Sequence, residues 1–182
     1  MKYLAEKLMD HYKYYLGDYI GADLYSDEIH EIQLLGFDEA IENCLLFATF
    51  GLSKYSEDIN NCCDIIMAVD RDYDQCAELL MNSVFYVVSN EMNFGRGILV
   101  DGIENINNNF YKQHNKAGIY FTENYIFPNS FVQIEDSCKM YMAFFVSKQE
   151  ANYIKKYGCE KFEDLLEKKN VDVIEIDRIS II

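Results

Sequence analysis

The sequence predicts an α+β fold in which helices cover a central, largely antiparallel sheet. Three observations carry that expectation. First, two apolar runs, Cys44-Leu45-Leu46-Phe47-Ala48-Thr49-Phe50 and Cys62-Cys63-Asp64-Ile65-Ile66-Met67-Ala68-Val69, are long enough for buried strands and too short for ordinary helices. The polar connector 54–61 suits antiparallel neighbours. Second, Cys76, Leu80, Val84, Val87 and Val88 recur at helical spacing and predict a helix over 73–92. Third, the apolar run 140–146 leads into Ser147 and Glu150, an S-x-x-E capping box that places a strand directly before a helix.

The remaining elements follow in order. A helix over 2–16 places Leu4, Leu8, Tyr12, Tyr15 and Leu16 near one face, and Gly17 stops it. A loop rich in Gly and Asp runs to about Asp27. Residues 28–36 read as a strand and 37–40 as a turn into strand 43–50, whose antiparallel neighbour is 62–69. In the next turn Asp72 is placed to cap helix 73–92, with Gln75 as its capping-box partner. Gly95 and Gly97 break that helix. Ile98-Leu99-Val100 suits a short strand, and the Asn-rich stretch 105–115 a surface loop. Residues 119–121 and 125–127 suit a strand with a polar interruption. After strand 140–146 come a helix over 148–157 ended by Gly158, a helix over 160–169 with Phe162, Leu165 and Leu166 inward, and an alternating strand over 171–176. With 182 residues and no repeat or low-complexity linker, the chain is expected to form one domain, 1–182.

Several short motifs fall at the joints of this plan. Thr49-Phe50-Gly51-Leu52-Ser53 closes the first apolar run: Gly51 lets the chain turn, and the Thr49 and Ser53 hydroxyls can bond local backbone. Asp64 stands near the start of the next strand. Towards the C-terminus come Phe144 to Glu150, then Tyr157-Gly158, Phe162 to Leu166, and Asp177-Arg178-Ile179-Ser180. In this order, residues from about 30 to 182 resemble the suppressor of fused (SUFU) domain family. That family carries T-x-G-[ML]-S at a strand end, an acidic residue (more often Glu) near the start of the following strand, and then a long helix. Near the C-terminus the family has a strand, a helix opened by an acidic capping element, a short Gly-linked second helix and a closing strand with an Arg, which the resemblance places at 177–180. The chain departs from the pattern in lacking Trp, and its one proline is Pro128. Residues 1–28 carry the least of the resemblance. The resemblance implies a SUFU-domain-like fold, with Thr49, Gly51, Ser53, Asp64, Glu150 and Arg178 as motif positions, read here as structural.

Charge sets further bounds. There are 31 acidic against 16 basic residues, a net charge of −15, which argues against nonspecific binding to nucleic acid or an anionic membrane. The excess favours a basic partner, or serves solubility alone. Charged residues interrupt the first helix, so it has no apolar core of signal-peptide length, and no run approaches the ~20 apolar residues that span a bilayer. A cytoplasmic location is expected, and a reduced compartment suits cysteines that sit mostly in apolar runs.

No constellation for chemistry emerges. His11, His30 and His114 are not spaced as ligands, no C-x-x-C occurs, and Cys62 and Cys63 point to opposite sheet faces, so no metal or cofactor is expected. Ser53 lacks the second glycine of a nucleophile elbow, and 93–99 lacks the Lys-Ser/Thr of a phosphate loop. Asp70, Asp72 and Asp74 have the spacing of a calcium-loop start, but Gln75 stands where Gly is required and Met81 where Glu is, which favours a helix cap. No residue is assigned as catalytic.

What the acidic residues offer is a surface. Asp18, Asp23, Asp27 and Glu28 in one polar segment, and Asp70, Asp72 and Asp74 in another, are the expected partner-binding residues, because they lie between apolar elements. Tyr14, Tyr15, Tyr19 and Tyr25 lie among acids, as tyrosines of a protein-binding surface do. Bacterial members of the resembled family are associated with polymorphic toxin systems as immunity proteins. The resemblance therefore implies a non-enzymatic domain that binds and neutralises a cognate toxin, and the acidic excess suits a basic one of the nuclease type. Animal members instead restrain zinc-finger transcription factors, with an additional domain for which this chain lacks the length. The alternatives are a bacterial adaptor or regulator of an endogenous protein, and a small hydrolase whose acid pair assembles only in three dimensions.

Cys44, Cys62, Cys63, Cys76, Cys138 and Cys159 are expected to be free thiols. Thiol titration under denaturing, non-reducing conditions should find every one reactive. A smaller number would mean disulfides or bound metal.

Overall fold

The run expected at 62–69 forms a strand, Cys63–Val69, buried along its whole length. Its side chains alternate between two separate cores: Cys63, Ile65, Met67 and Val69 face one, and Ile66 and Ala68 the other. A strand covered on both faces reads as a continuous apolar run, as this one does.

Around that strand an eight-stranded sheet is built, in a computed structural model that describes residues 2–70, 74–134 and 138–182. The strands are β1 Gly21–Ser26, β2 Glu31–Phe37, β3 Leu45–Phe50, β4 Cys63–Val69, β5 Ile98–Asp101, β6 Gly118–Glu123, β7 Gln133–Ile134 and β8 Cys138–Val146. The helices are α1 Lys2–Leu16, α2 Asp74–Ser89, α3 Ile103–Ile106, α4 Asn108–His114, α5 Asn129–Val132, α6 Lys148–Tyr157 and α7 Cys159–Lys168. The strand order is β1-β2-β3-β4-β8-β6-β5, with the short β7 paired to β8 off that path. The expected neighbours β3 and β4 pair antiparallel, from Leu45↔Val69 to Ala48↔Ile66. Among the described residues every other pair is antiparallel except β4 with β8, which run parallel from Cys63↔Lys139 to Ile66↔Met142. The sheet is therefore mixed, in an α+β arrangement.

Helices cover both faces. On one side α2 presents Cys76, Leu80, Val84, Val87 and Val88 to Ile65, Met67 and Phe121, with Phe110 of α4 beside them. On the other side Leu8, Tyr12 and Leu16 of α1, Ala151 and Ile154 of α6, and Phe162 and Leu166 of α7 close over Leu46, Met142 and Phe144. Burial of each Val, Leu, Ile, Met or Phe among them contributes roughly 1.5–3 kcal/mol. Where β5 and β6 meet, a Cβ on Gly118 would lie 2.8 Å from the Val100 carbonyl oxygen, so only glycine permits that approach.

Several expectations are corrected. The loop expected up to Asp27 contains β1, where only Tyr25 is half-buried against the core and the rest are exposed, so no alternation could be read. β2 begins at Glu31, not at residue 28, because Asp27 Oδ1 accepts the N–H groups of Ile29 and His30 and turns the chain there. The Asn-rich loop expected at 105–115 is largely helical: Asn107 caps α4 through Phe110 N–H, and Asn115 ends it in the left-handed region. Phe110 and His114, one turn apart, are the face that this helix buries. Residues 125–127 are not a strand, because Asn124 Oδ1 takes the N–H groups of Ile126 and Phe127. Nor is 171–176. Asp172 and Asp70 accept the N–H groups of Ile174 and Ile176, so side chains rather than a ladder satisfy that backbone. Residues 177–180 form no strand either. The cap expected at Asp72 lies outside the described residues.

At the start of α6, Ser147 Oγ accepts Glu150 N–H at 3.1 Å and Glu150 Oε2 accepts Ser147 N–H at 2.8 Å, a complete capping box. Ser147→Ala should therefore lower stability by about 0.5–2 kcal/mol. Urea unfolding checks this: the midpoint should fall while the slope stays unchanged.

Candidate partner-binding surface

The motif residues sit in two buried polar networks that hold the sheet and its helices together. In the first, Thr49 at the end of β3 donates its hydroxyl to Asp64 Oδ1 at 2.8 Å and accepts Ile65 N–H at 2.9 Å. The Leu52 N–H reaches the same carboxylate oxygen at 3.1 Å, across a turn where Gly51 has φ of 109°. Tyr12 of α1 donates to the Thr49 carbonyl at 2.7 Å, tying the helix to this joint. Asp64 Oδ2 is buried and makes no hydrogen bond of full geometry, although Ser53 is near enough to favour the carboxylate. Burial outweighs Thr49, Ser53 and the backbone donors, and pushes Asp64 up to about 6.

The second network centres on Glu150, which is fully buried. Arg178 meets it with two nitrogens, Nη1 to Oε1 at 2.6 Å and Nη2 to Oε2 at 3.0 Å, and also donates to the Phe145 carbonyl. Ile181 N–H adds a further donor at 3.1 Å. Burial alone would raise the Glu150 pKa, but Arg178 and the backbone donors hold it below the ordinary value. Lys116, itself buried, donates to the Arg178 carbonyl at 2.9 Å, and burial lowers it to about 8.

A third group was not legible in the sequence. Glu163 of α7 accepts Tyr120 and Thr122 hydroxyls of β6, each at 2.7 Å, and pairs with Arg96. It borders a half-open cavity of about 550 Å³ with Tyr125 and Leu166 on its wall. Burial works to raise its pKa, yet Arg96, Thr122 and Tyr120 hold it low. Glu163 is thus an anchored carboxylate, a poor proton donor at neutral pH. Among the described residues, no group of three His, Cys, Asp or Glu side chains is placed to hold a metal ion.

The acidic residues proposed for partner binding do not form one patch. The register Gly21↔Gly36, Gly36↔Phe47, Phe47↔Met67 puts the start of β1 and the end of β4 at the same end of the sheet. Asp18, just before β1, and Asp70, just after β4, therefore lie at that end, beside strands three positions apart in the sheet. Asp27 and Glu28 lie at the opposite end of β1, and Asp23 is exposed along it. Asp18 pairs with Lys13 at 3.1 Å in the open. Asp27 has internal work: its carboxylate takes two backbone N–H groups, the His30 ring at 2.9 Å and the Ser89 hydroxyl at 3.0 Å. Desolvation opposes these bonds, but they hold its carboxyl well below the ordinary range. Asp70 binds the C-terminal segment through Ile176 N–H, and Asp74 opens α2. Asp72 lies outside the described residues. Exposed apolar side chains accompany the first group: Tyr19, Ile20, Leu24 and Ile29. Of the tyrosines expected at this surface, Tyr14 and Tyr19 are exposed, whereas Tyr15 and Tyr25 are half-buried against the two cores.

Both motif networks thus serve the architecture, while Tyr14, Asp18, Tyr19, Asp23 and Glu28 lie exposed at the surface. The family model of suppressor of fused protein (SUFU) matches residues 28–179, and the chain belongs to that family. It is 24% identical over 153 residues to Immunity protein YqcF of Bacillus subtilis (strain 168), covering 80% of this chain and 78% of that protein. Its fold is similar to that of a SUFU homolog from Neisseria gonorrhoeae FA 1090, with a TM-score of 0.76 at 10% identity, over 100% of this chain and 98% of that one. It also matches a chain of the Sufu–Fu complex, with a TM-score of 0.66 at 9% identity, over 99% of this chain and 91% of that one. Against Drosophila Suppressor of Fused the TM-score is 0.59 at 11% identity, over 98% of this chain but 50% of that one. The family and the homologue support a protein-binding role. Among the described residues no helix is long and apolar enough to cross a membrane.

The Asp64 carboxyl makes stability depend on pH in a defined direction. Its folded pKa of about 6 lies above the ordinary 3.8, so the folded state holds the proton longer, and stability from this group is lost as pH rises between those values. The gap corresponds to about 3 kcal/mol. Glu150 and Glu163 act in the opposite sense at lower pH, where protonation removes their contribution. The difference between wild type and Asp64→Asn isolates the term: urea unfolding across pH 4–7 should show wild type losing stability relative to the variant as pH rises.

Proposed function

We propose that this chain is an immunity protein, a single non-enzymatic domain that binds and neutralises a cognate toxin in the cytoplasm of the bacterium that makes it. The observation that carries the proposal is the similarity to Immunity protein YqcF across most of both chains. The net charge of −15 supports a basic toxin of the nuclease type, which such a surface would attract. The acidic contributors are Asp18, Asp23 and Glu28 beside β1, with Asp27 shaping their turn, and Asp70, Asp72 and Asp74 beyond β4. Complementary charge accelerates encounter, and apolar contacts at the centre hold the complex.

A second reading, a bacterial adaptor that binds an endogenous protein, draws on the fold similarity to the Sufu–Fu complex. A toxin gene beside this one separates the two readings. A small hydrolase is the weakest alternative, because Glu163, the carboxylate best placed in the cavity, is held ionised by its partners.

If a toxin gene adjoins this one, co-expression with its product should restore growth of the poisoned host, and lack of rescue would remove the immunity reading. In surface plasmon resonance the association rate should fall as salt rises, while dissociation changes less. Neutralising Asp18, Asp23 and Glu28 together, or Asp70, Asp72 and Asp74 together, should slow association for the cluster that faces the partner. An association rate indifferent to salt would remove the electrostatic part alone.

A further inference from the structure

We propose that the free edge of β1 is a docking strand, to which an extended, cationic segment of a partner protein adds as a further strand of the sheet. The proposal rests on the partner-binding reading above and specifies its contact.

β1 is the last strand on its side of the sheet and pairs with β2 alone. Across the turn, Asp27 N–H donates to the His30 carbonyl, which sets the hydrogen-bonded parity of this antiparallel pair. With Tyr25↔Ile32 and Asp23↔Leu34 in register, the odd residues direct their backbone groups at β2. The N–H and C=O groups of Ala22, Leu24 and Ser26 therefore point off the sheet, and no hydrogen bond among the described residues reaches them. Beside this row Ile20 is 61% exposed, Leu24 58% and Ile29 82%. Such an edge offers backbone pairing and apolar contact together, the two components of strand addition.

Natural edges are commonly blocked by Lys, Pro, bulges or brevity. Residues 18–31 hold neither Lys, Arg nor Pro. They hold Asp18, Asp23, Asp27, Glu28 and Glu31. These acids set the occupant. A second copy pairing on β1 would bring carboxylates against carboxylates, which is destabilising across strands. A strand bearing Lys or Arg meets the opposite charge. The other end strand differs: β5 is four residues long, and Lys155 of α6 reaches across to its Asp101. β1 also precedes residue 28, where the family match begins, so the docking strand belongs to a part of the chain that the shared pattern leaves open.

The test uses the full chain and a short peptide of alternating Lys and Val, with a Glu-Val peptide as its control. The Lys-Val peptide should shift the amide signals of residues 20–29 and protect Ala22, Leu24 and Ser26 from solvent exchange, and the Glu-Val peptide should not. Ala22→Pro removes an outward donor without touching the β1–β2 ladder, and should weaken binding about tenfold, or roughly 1.4 kcal/mol. Asp23→Asn and Leu24→Lys should weaken it with the fold intact by circular dichroism, which guards against a variant that merely unfolds. Shifts centred on β5 or on the Glu163 cavity, or binding unchanged by Ala22→Pro, would overturn the proposal. So would a concentration-dependent dimer abolished by Ala22→Pro, since the edge would then serve a second copy. The toxin-rescue experiment judges the immunity reading separately. Rescue by Ala22→Pro as strong as by wild type would sink the docking strand and leave immunity standing.

Discussion

The buried pair of Glu150 and Arg178 is the constraint on which the C-terminal half of the molecule depends. Taking a carboxylate and a guanidinium out of water costs several kcal/mol for each ion, and only good geometry offsets it. Here both carboxylate oxygens are met by a guanidinium nitrogen, and each also takes a backbone N–H, from Ser147 or Ile181. One side chain thus closes the end of β8, starts α6 and fastens the C-terminal segment. Lys116 extends the clamp to the start of β6 through the Arg178 carbonyl. In such a pair the loss of one partner typically destabilises by about 3–5 kcal/mol, because the other charge is left buried alone.

Asp64 shows the same chemistry with the opposite outcome. Both carboxylates are fully buried and both accept backbone donors. Glu150 has a cation and stays ionised, whereas Asp64 has hydroxyls and N–H groups only, and burial raises its pKa. One joint is therefore an ion pair and the other a carboxyl that takes up a proton in mild acid. Together they anchor the helices of one face: Tyr12 ties α1 to the Thr49 end of β3, and Glu150 begins α6.

Much of the fold was legible because its signals are local. The apolar runs of β3, β4 and β8, the spacing in α2 and the Ser147–Glu150 box each depend on residues close in sequence. What was missed depends on partners far away. β1 is a strand because β2 lies beside it, not because its side chains alternate. The segment 171–176 alternates convincingly, yet Asp70 and Asp172 take the N–H groups that a ladder would need. α4 was hidden by its asparagines, although Asn107 and Asn115 are its two ends and Phe110 and His114 its buried face. Of the candidate surface, the acids could be read but not their division between the two ends of the sheet, nor the internal duties of Asp27 and Asp70. Arg96 and Glu163 meet across 67 residues, a pairing that spacing does not encode.

The parallel contact between β4 and β8 has a consequence for how the chain reaches this structure. Strands β1 to β4 form a meander of consecutive antiparallel partners, so each closes only a short loop. The pairing of Cys63 with Lys139 must close a loop that contains α2, β5, β6 and everything between. Loop entropy makes that step slow, and it places the seam late in folding. Until it closes, β4 exposes an apolar edge that nothing else in the meander can satisfy. The kinetic hazard of this protein therefore lies at the centre of its sheet, where the native state buries it most completely.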